Sequence, residues 1–254
     1  MSIARSLARI LRDQFQMHAA WMPVTTRFSL GDYGLWRDGV FAPLGNIAEF
    51  GVAPRIEDGR EISFEFTSVR ASTTHVAAGA QVQVMPTADV DAETRIAFSG
   101  AESFLLSAGK LTSTRIANIA EVARKLDETG RWRWQYKVVG ELFVGEDVLL
   151  LATTERDTTI TLRGKASALA RLRGVKLDAD VDITADKRLG LQIVGGSGPV
   201  GLGLFRARIS GAPVVDFADD KNPGNLFVTG DGQIAEVVAE SDWSDAPADD
   251  DPAE

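Results

Sequence analysis

The chain of 254 residues contains no cysteine. That excludes disulfides, thiolate zinc sites, iron–sulfur clusters and cysteine nucleophiles together. Only two histidines, His18 and His75, are present, so a histidine-rich metal centre is excluded as well. No run of about eighteen apolar residues occurs, so no transmembrane helix is expected. The first residues also lack the unbroken apolar stretch and cleavage site of a secretory signal, so the chain reads as cytoplasmic. What is there is ordinary for a globular domain: 44% hydrophobic and 25% charged residues, enough for a substantial core.

The formal net charge of −9 is unevenly placed. Residues 236–254 carry Glu236, Glu240, Asp242, Asp245, Asp249, Asp250, Asp251 and Glu254 with no Lys or Arg, which leaves about −1 for residues 1–235. The sequence therefore divides into a single α+β domain, 1–235, and an acidic tail, 236–254, too polar to bury a core and expected to be disordered. The tail is either a solubilising end or a segment that masks a basic surface on the body.

Residues 2–17 show the helical spacing of an amphipathic segment. Ile3, Leu7, Ile10, Leu11 and Phe15 fall on one face, while Arg5, Arg9 and Arg12 fall on another. Such a helix docks on a core, or lies on an anionic membrane with Trp21 near the interface. Glycines punctuate Arg27 to Val52 into brief strands, and Asp38-Gly39 marks a hairpin turn. From Glu61 the period becomes two: Ile62, Phe64 and Phe66 alternate with polar residues.

The alternation then lasts unusually long. Val76, Ala78, Ala80, Val82 and Val84 share one face, "MPTAD" punctuates, and Val90, Ala92, Thr94, Ile96 and Phe98 return. This predicts a hairpin with arms of nine or ten residues, beyond the usual strand. A helix is expected over 113–129, with Ile116, Ile119, Ala120, Ala123 and Leu126 as its stripe and Gly130 at its stop. Three strand-like runs follow, "WRWQYKVVGELFV", "DVLLLATTE" and "TTITLRGKA". A second long unit, 175–194, sets Leu177, Ala179, Val181 and Ile183 before a turn at "ADKR" and Leu189, Leu191 and Ile193 after it. Few helices among consecutive strands predict an α+β fold: a mainly antiparallel twisted β-sheet with long amphipathic hairpins and a few helices.

The candidate chemical motifs do not build a site. Gly196-Ser197-Gly198-Pro199-Val200-Gly201 matches the dinucleotide pattern G-x-G-x-x-G, but Pro199, Gly201 and Gly203 disfavour the helix that the pattern needs. A glycine-rich bend in a sheet fits better. Asp178, Asp180, Asp182 and Asp186 resemble the start of a calcium loop, yet Ile183 and Leu189 stand where it requires Gly and Glu. An acidic, solvated strand face accounts for them. His75 has no nucleophile elbow, since no G-x-S-x-G occurs. No catalytic residue, cofactor site or metal site is named, and the chain is not read as an enzyme.

"RWRWQYK", Arg131 to Lys137, interleaves aromatic rings with cations. That suits a single-stranded nucleic acid, a membrane interface or an aromatic core face. Residues 158–177 add Arg163, Lys165, Arg171, Arg173 and Lys176 without an acid. A body near −1 argues against nucleic acid as the partner.

A membrane-crossing β-strand takes about 9–11 residues alternating between lipid and lumen. The units 76–98 and 175–194 have that length and alternation. In order of parts the chain resembles the gasdermin pore-forming domain, in particular the compact bacterial gasdermins. "YKVVGELFVGEDVLLLATTERDTTITLRGKA", Tyr136 to Ala166, looks like the sheet between their two hairpin regions. The resemblance implies a dormant, membrane-permeabilising protein activated when a protease removes its C-terminal segment. It implies an anionic membrane and further copies of itself as partners, with relocation from cytoplasm to membrane. On that reading Arg5, Arg9, Arg12, Trp21, Arg163, Lys165, Arg171, Arg173 and Lys176 contact lipid. Val82, Val84, Val90, Ile96, Phe98, Leu177, Val181, Ile183, Leu189 and Leu191 belong to the inserting hairpins. Cleavage falls near Lys221, in the polar segment Phe217 to Gly232. The lipidated cysteine frequent near the N-terminus of bacterial gasdermins has no counterpart. The alternative is a soluble, non-enzymatic module binding a protein or small ligand.

Overall fold

The computed structural model describes residues 3–37, 39–67, 71–86, 89–170, 181–207 and 213–216. The expected tail 236–254, the boundary at 235, Arg171, Arg173, Lys176, Leu177 and Lys221 lie outside them.

The described elements are, in order, α1 (Ile3–Phe15), β1 (His18–Ala19), β2 (Asp32–Arg37), β3 (Val40–Asn46), a 3-10 turn (Ile47–Phe50), β4 (Ile56–Asp58), β5 (Ile62–Thr67), β6 (Ala71–Ala77), β7 (Ala80–Val82), β8 (Asp91–Phe98) and β9 (Ser103–Ile116). There follow α2 (Ile119–Glu128), β10 (Lys137–Glu146), β11 (Leu149–Thr153), β12 (Thr158–Lys165), α3 (Ala166–Ala170), β13 (Asp182–Ala185), β14 (Leu189–Val194), β15 (Gly198–Ala207) and β16 (Pro213–Asp216). The fold is the expected α+β class. A larger sheet runs β1-β15-β10-β9-β11-β14, with β2 and β3 joined through β10, β4 and β5 through β9, and β16 through β15. A smaller sheet runs β13-β12-β8-β6-β7, and the pairings among the described strands are antiparallel.

Alternation along β9 and β11 assigns the two faces of the larger sheet. Phe104, Leu106, Ala108, Leu150 and Ala152 point to one side, where Leu7 and Leu11 of α1 cover them. Leu105, Leu149 and Leu151 point to the other, against Ile96, Phe98, Ile160 and Leu162 of the smaller sheet. The larger sheet is thus sandwiched between a helix and a second sheet. At about 25 cal/mol per Å² of apolar surface removed from water, these two layers are the main source of stability.

Several local expectations are met. β2 and β3 form a hairpin with Arg37 opposite Val40, as the Asp38-Gly39 signal predicts, Asp38 itself lying outside the described residues. Gly39 takes φ +80, which a side chain would resist. The glycine-rich segment before Gly203 is a turn at Gly195-Gly196 and then β15, a strand between β1 and β10 rather than a phosphate loop.

Other elements differ in pairing or extent. The helix expected over 113–129 begins only at Ile119, because Ser113 to Ile116 remain extended: Arg115 pairs with both Glu57 and Glu141. Residues 131–136 are not strand; Trp132 and Tyr136 turn inward onto Tyr33 and Phe50, with ring centroids 5.2–5.6 Å apart. The arm expected over 76–84 is two strands. Ala78 and Gly79, at φ 49 and 78, reverse the chain, so Val76 faces Gln81. Val82 ends β7, and Val84 lies beyond it, 70% exposed. β6 instead pairs along β8, from Ala71 opposite Phe98 to Ala77 opposite Ala92. The second unit is not a hairpin either: β13 pairs with β12 in the smaller sheet and β14 with β11 in the larger. The "ADKR" segment carries one strand from sheet to sheet instead of reversing it.

Candidate functional site: a bend shared by neighbouring strands

The two sheets are successive lengths of the same strands. β5, β9, β11 and β14 neighbour one another in the larger sheet. Their continuations β6, β8, β12 and β13 keep the same neighbours in the smaller one. The central two strands keep one register throughout. Arg115 lies opposite Glu141, Leu105 opposite Leu151, Ser103 opposite Thr153, Phe98 opposite Thr158 and Asp91 opposite Lys165. The interruption at Ser99–Glu102 is therefore matched by an equal one at Thr154–Asp157. The outer strand of this set breaks at the same level, at Asp186–Arg188.

The breaks are largely exposed, and the buried hydroxyls that flank them are satisfied locally. The Ser103 hydroxyl donates to the Gly100 carbonyl at 3.0 Å. The fully buried Thr153 and Thr158 hydroxyls lie 2.9 Å apart, and both donate to the Glu155 carbonyl at 3.1 Å. Asp186 accepts from the Thr159 amide at 2.8 Å, and Lys187 Nζ donates to the Arg156 carbonyl at 2.6 Å. Glu102 and Asp157, one in each central strand, take φ +59 and +53, a region costly for residues with a Cβ.

Apolar parity is kept across the breaks. Ala92, Ile96 and Phe98 continue in step with Phe104, Leu106 and Ala108. Leu150 and Ala152 continue in step with Ile160 and Leu162, and Ile183 and Ala185 with Leu189, Leu191 and Ile193. Folding over sends one half of each stripe to α1 and most of the other half to the inter-sheet core.

The outward face of the smaller sheet is ionic. Lys165 pairs with Asp91 at 2.7 Å, and Arg163 pairs with Glu93 at 2.8 Å. Arg95 also contacts Glu93. Hydrogen bonds from Lys165 to Asp91 and from Arg163 to Glu93 hold both carboxyls below their usual range. They line an open groove of about 570 Å³ in which these charges already neutralise one another.

The expected lipid contacts are spread over this frame. Arg5 and Arg9 are exposed on α1. Arg12 is half-buried, its Nε shut away beside His18. Trp21 is half-buried against the α1 core. Arg163 and Lys165 sit in the ion-pair ladder. Of the expected hairpin residues, Ile96 and Phe98 are buried between the sheets, with Val82, Val90, Val181, Ile183 and Leu189 against the same core. Leu191 packs on the other side, under α1. His75 Nδ1 meets Thr94 Oγ1 at 3.0 Å within β6 and β8, and Asp186 serves the break.

His18 is missed by motif reading. It is 5% exposed in β1, edge-on to Trp36 at 4.6 Å. Burial, then the charges of Lys137 and Arg12, push its pKa down to about 3.

No helix among the described residues is long and apolar enough to cross a membrane. No family model matches the chain, and no curated protein does. Among solved structures, the chain resembles in fold a bacterial gasdermin from Bradyrhizobium tropiciagri, at 13% identity and a TM-score of 0.37, over 83% of this chain and 90% of that one.

Proposed function

We propose that the chain is a dormant, gasdermin-like membrane-permeabilising protein, which converts by straightening the strands that now bend between its two sheets. The observation that carries this reading is the unbroken register of Asp91–Arg115 against Glu141–Lys165 across the bend. Two strands that already pair correctly on both sides can straighten without breaking either ladder. On this reading the inserting segments are β6 with β8, and β12 with β13, in place of 76–98 and 175–194.

Length and pattern support it. β8 and β12 have eight residues each, short of the about 9–11 that a tilted membrane-crossing strand takes, and residues of the adjoining breaks complete that length once the strands are straight. Once straight, each strand joins its two apolar stripes into one lipid-facing side. Asp91, Glu93, Arg95, Arg163 and Lys165 fall on the opposite side, where a water-filled lumen would accept them. Glu102, Arg156 and Lys187 come at the foot of the inserted length, at headgroup level. Neighbouring copies would close the barrel, since open sheet edges are not tolerated in lipid. The exposed Arg5 and Arg9 suit an anionic surface. Removal of the acidic C-terminal segment by a protease would start the change, moving the chain from cytoplasm to membrane.

The test is dye release from liposomes containing an anionic lipid, by a full chain carrying an inserted protease site beside Lys221, before and after cleavage. Release only after cleavage is the expected result. A cleaved chain that retains its fold and releases nothing would overturn the proposal, leaving a soluble binding module.

A further inference from the structure

We infer that the first turn of α1 is an internal latch that clasps the bend shut. Two contacts define it, one to the break between β8 and β9 and one to β14, and Thr154 of another break lies beside the second. The Ser6 hydroxyl, 2% exposed, donates to Glu102 Oε2 at 2.6 Å, in the break between β8 and β9. Ile3 lies directly over Gly190 in β14, so close that a Cβ there would collide with Ile3 Cδ1. The same Cβ would lie 2.9 Å from Thr154 Cγ2, the first residue of the break between β11 and β12. One helical turn therefore spans the bend at the point where straightening must begin.

The chemistry of the contact is that of a clasp rather than of general packing. Glu102 is held below the usual carboxylate range, first by the Ser6 hydrogen bond and further by the Arg9 charge. A carboxylate accepting a short hydrogen bond from a buried hydroxyl is among the stronger polar contacts available. Gly190 supplies the depth: only a residue without a side chain lets Ile3 settle against the sheet. The far end of α1 is fixed independently, since β1 follows it and pairs His18 with Leu202. Leu7 and Leu11 hold the middle on Phe104, Leu106 and Leu150. The helix is thus anchored along its length, with its leading turn laid over the hinge.

The role in activation rests on the proposed conversion, but the clasp itself can be measured without a membrane. Hydrogen exchange is followed by mass spectrometry on the full chain and on two single variants, Ser6→Ala and Ile3→Ala. Ser6→Ala removes a contact to the β8–β9 break only, and Ile3→Ala removes the contact over Gly190 in β14 without adding an atom beside Thr154. A latch requires each variant to speed exchange, by about fivefold to tenfold, at both 99–103 and 154–158. Exchange in β10, Lys137–Glu146, should stay unchanged. Acceleration confined to the strand that loses its contact, or spread equally into β10, would overturn the latch and leave ordinary packing. Dye release by the cleavable full chain carrying Ser6→Ala provides the second arm, expected to be faster than without the substitution. Loosened bends with no dye release from any cleaved chain would refute the pore reading and spare the latch. Loosened bends with release at the unsubstituted rate would refute the latch as a control on conversion.

Discussion

Asp157 offers a perturbation that acts on the bend through the backbone alone. It is exposed and takes φ +53. An L-residue in this region costs about 1–2 kcal/mol, with Asp near the lower end and β-branched residues above it. Asp157→Gly removes about 1 kcal/mol of strain from the bent form. Asp157→Val adds about 1 kcal/mol to it, and Val is favoured over Asp by up to another ~1 kcal/mol once the position is extended. The balance between bent and straight strands should therefore move about fivefold toward bent in the Gly variant. It should move about thirtyfold toward straight in the Val variant. Changes in unfolded-chain entropy, which usually confuse glycine substitutions, cancel because both end states are folded. The assay is the rate of dye release from anionic liposomes after cleavage, with thermal unfolding of the intact chain as a control. Asp147 supplies the second control. It has the same φ of +53, but it lies between β10 and β11, both in the larger sheet. Asp147→Gly should leave the release rate unchanged. Equal rates for Asp157→Gly and Asp157→Val, or the reverse order, would refute the claim that straightening at this break is part of the function.

Three further outcomes follow from named contacts. Thr158→Val keeps the buried volume but removes the hydroxyl shared with Thr153 and Glu155; a loss of about 1 kcal/mol, or ~2–4 °C in Tm, is expected by calorimetry. His18 titrates near 3 when folded and near 6.5 when unfolded, so between those values the unfolded chain binds the extra proton. Stability from this group is complete above pH 6.5 and falls as the pH drops, by about 2 kcal/mol at pH 5. Urea midpoints should reveal that loss in the natural chain and a smaller one in His18→Phe; equal losses would contradict the assignment. Lys165→Glu sets a like charge opposite Asp91 and should raise hydrogen exchange in β8 and β12, while adding Asp91→Lys should restore protection.

The sequence made the faces of these strands legible but not their partners. Alternation states which residues share a side; it is identical whether a strand reverses, continues or folds over. Hence Leu189, Leu191 and Ile193 looked like the return arm of a hairpin. They are the onward half of the strand containing Ile183 and Ala185. The run from Val76 to Val84 misled for a different reason. Gly79 stands off the apolar beat between Ala78 and Ala80, so a turn at Ala78-Gly79 left the apparent alternation intact. In "RWRWQYK" the aromatic spacing of two mimicked a strand, whereas Trp132 and Tyr136 use their spacing of four to meet Tyr33. The bend itself did leave a trace. Ser99–Glu102, Thr154–Asp157 and Asp186–Arg188 are short polar breaks inside longer apolar alternations, and each apolar set resumes on the same parity.

That shared parity bears on why the bent form must be held rather than simply preferred. A strand designed only for the folded-over sandwich would have no reason to keep one apolar phase through the break, because its two halves cover different cores. Keeping the phase makes the lengths Asp91–Phe98 and Thr158–Lys165 amphipathic and extends their apolar side into the larger sheet, where Leu105, Leu149 and Leu151 make the opposite side apolar too. Water penalises the continuous stripe and a bilayer rewards it. The folded chain hides the resulting stripe twice, under α1 and between the sheets. Each hiding place then depends on the geometry at the break. There the fold combines self-satisfied turns at Thr153 and Thr158, left-handed residues at Glu102 and Asp157, and the first turn of α1 over Gly190. The left-handed residues oppose the bend while the turns and the helix secure it. Small changes at any of these positions should therefore move the balance between two folded shapes further than they move global stability.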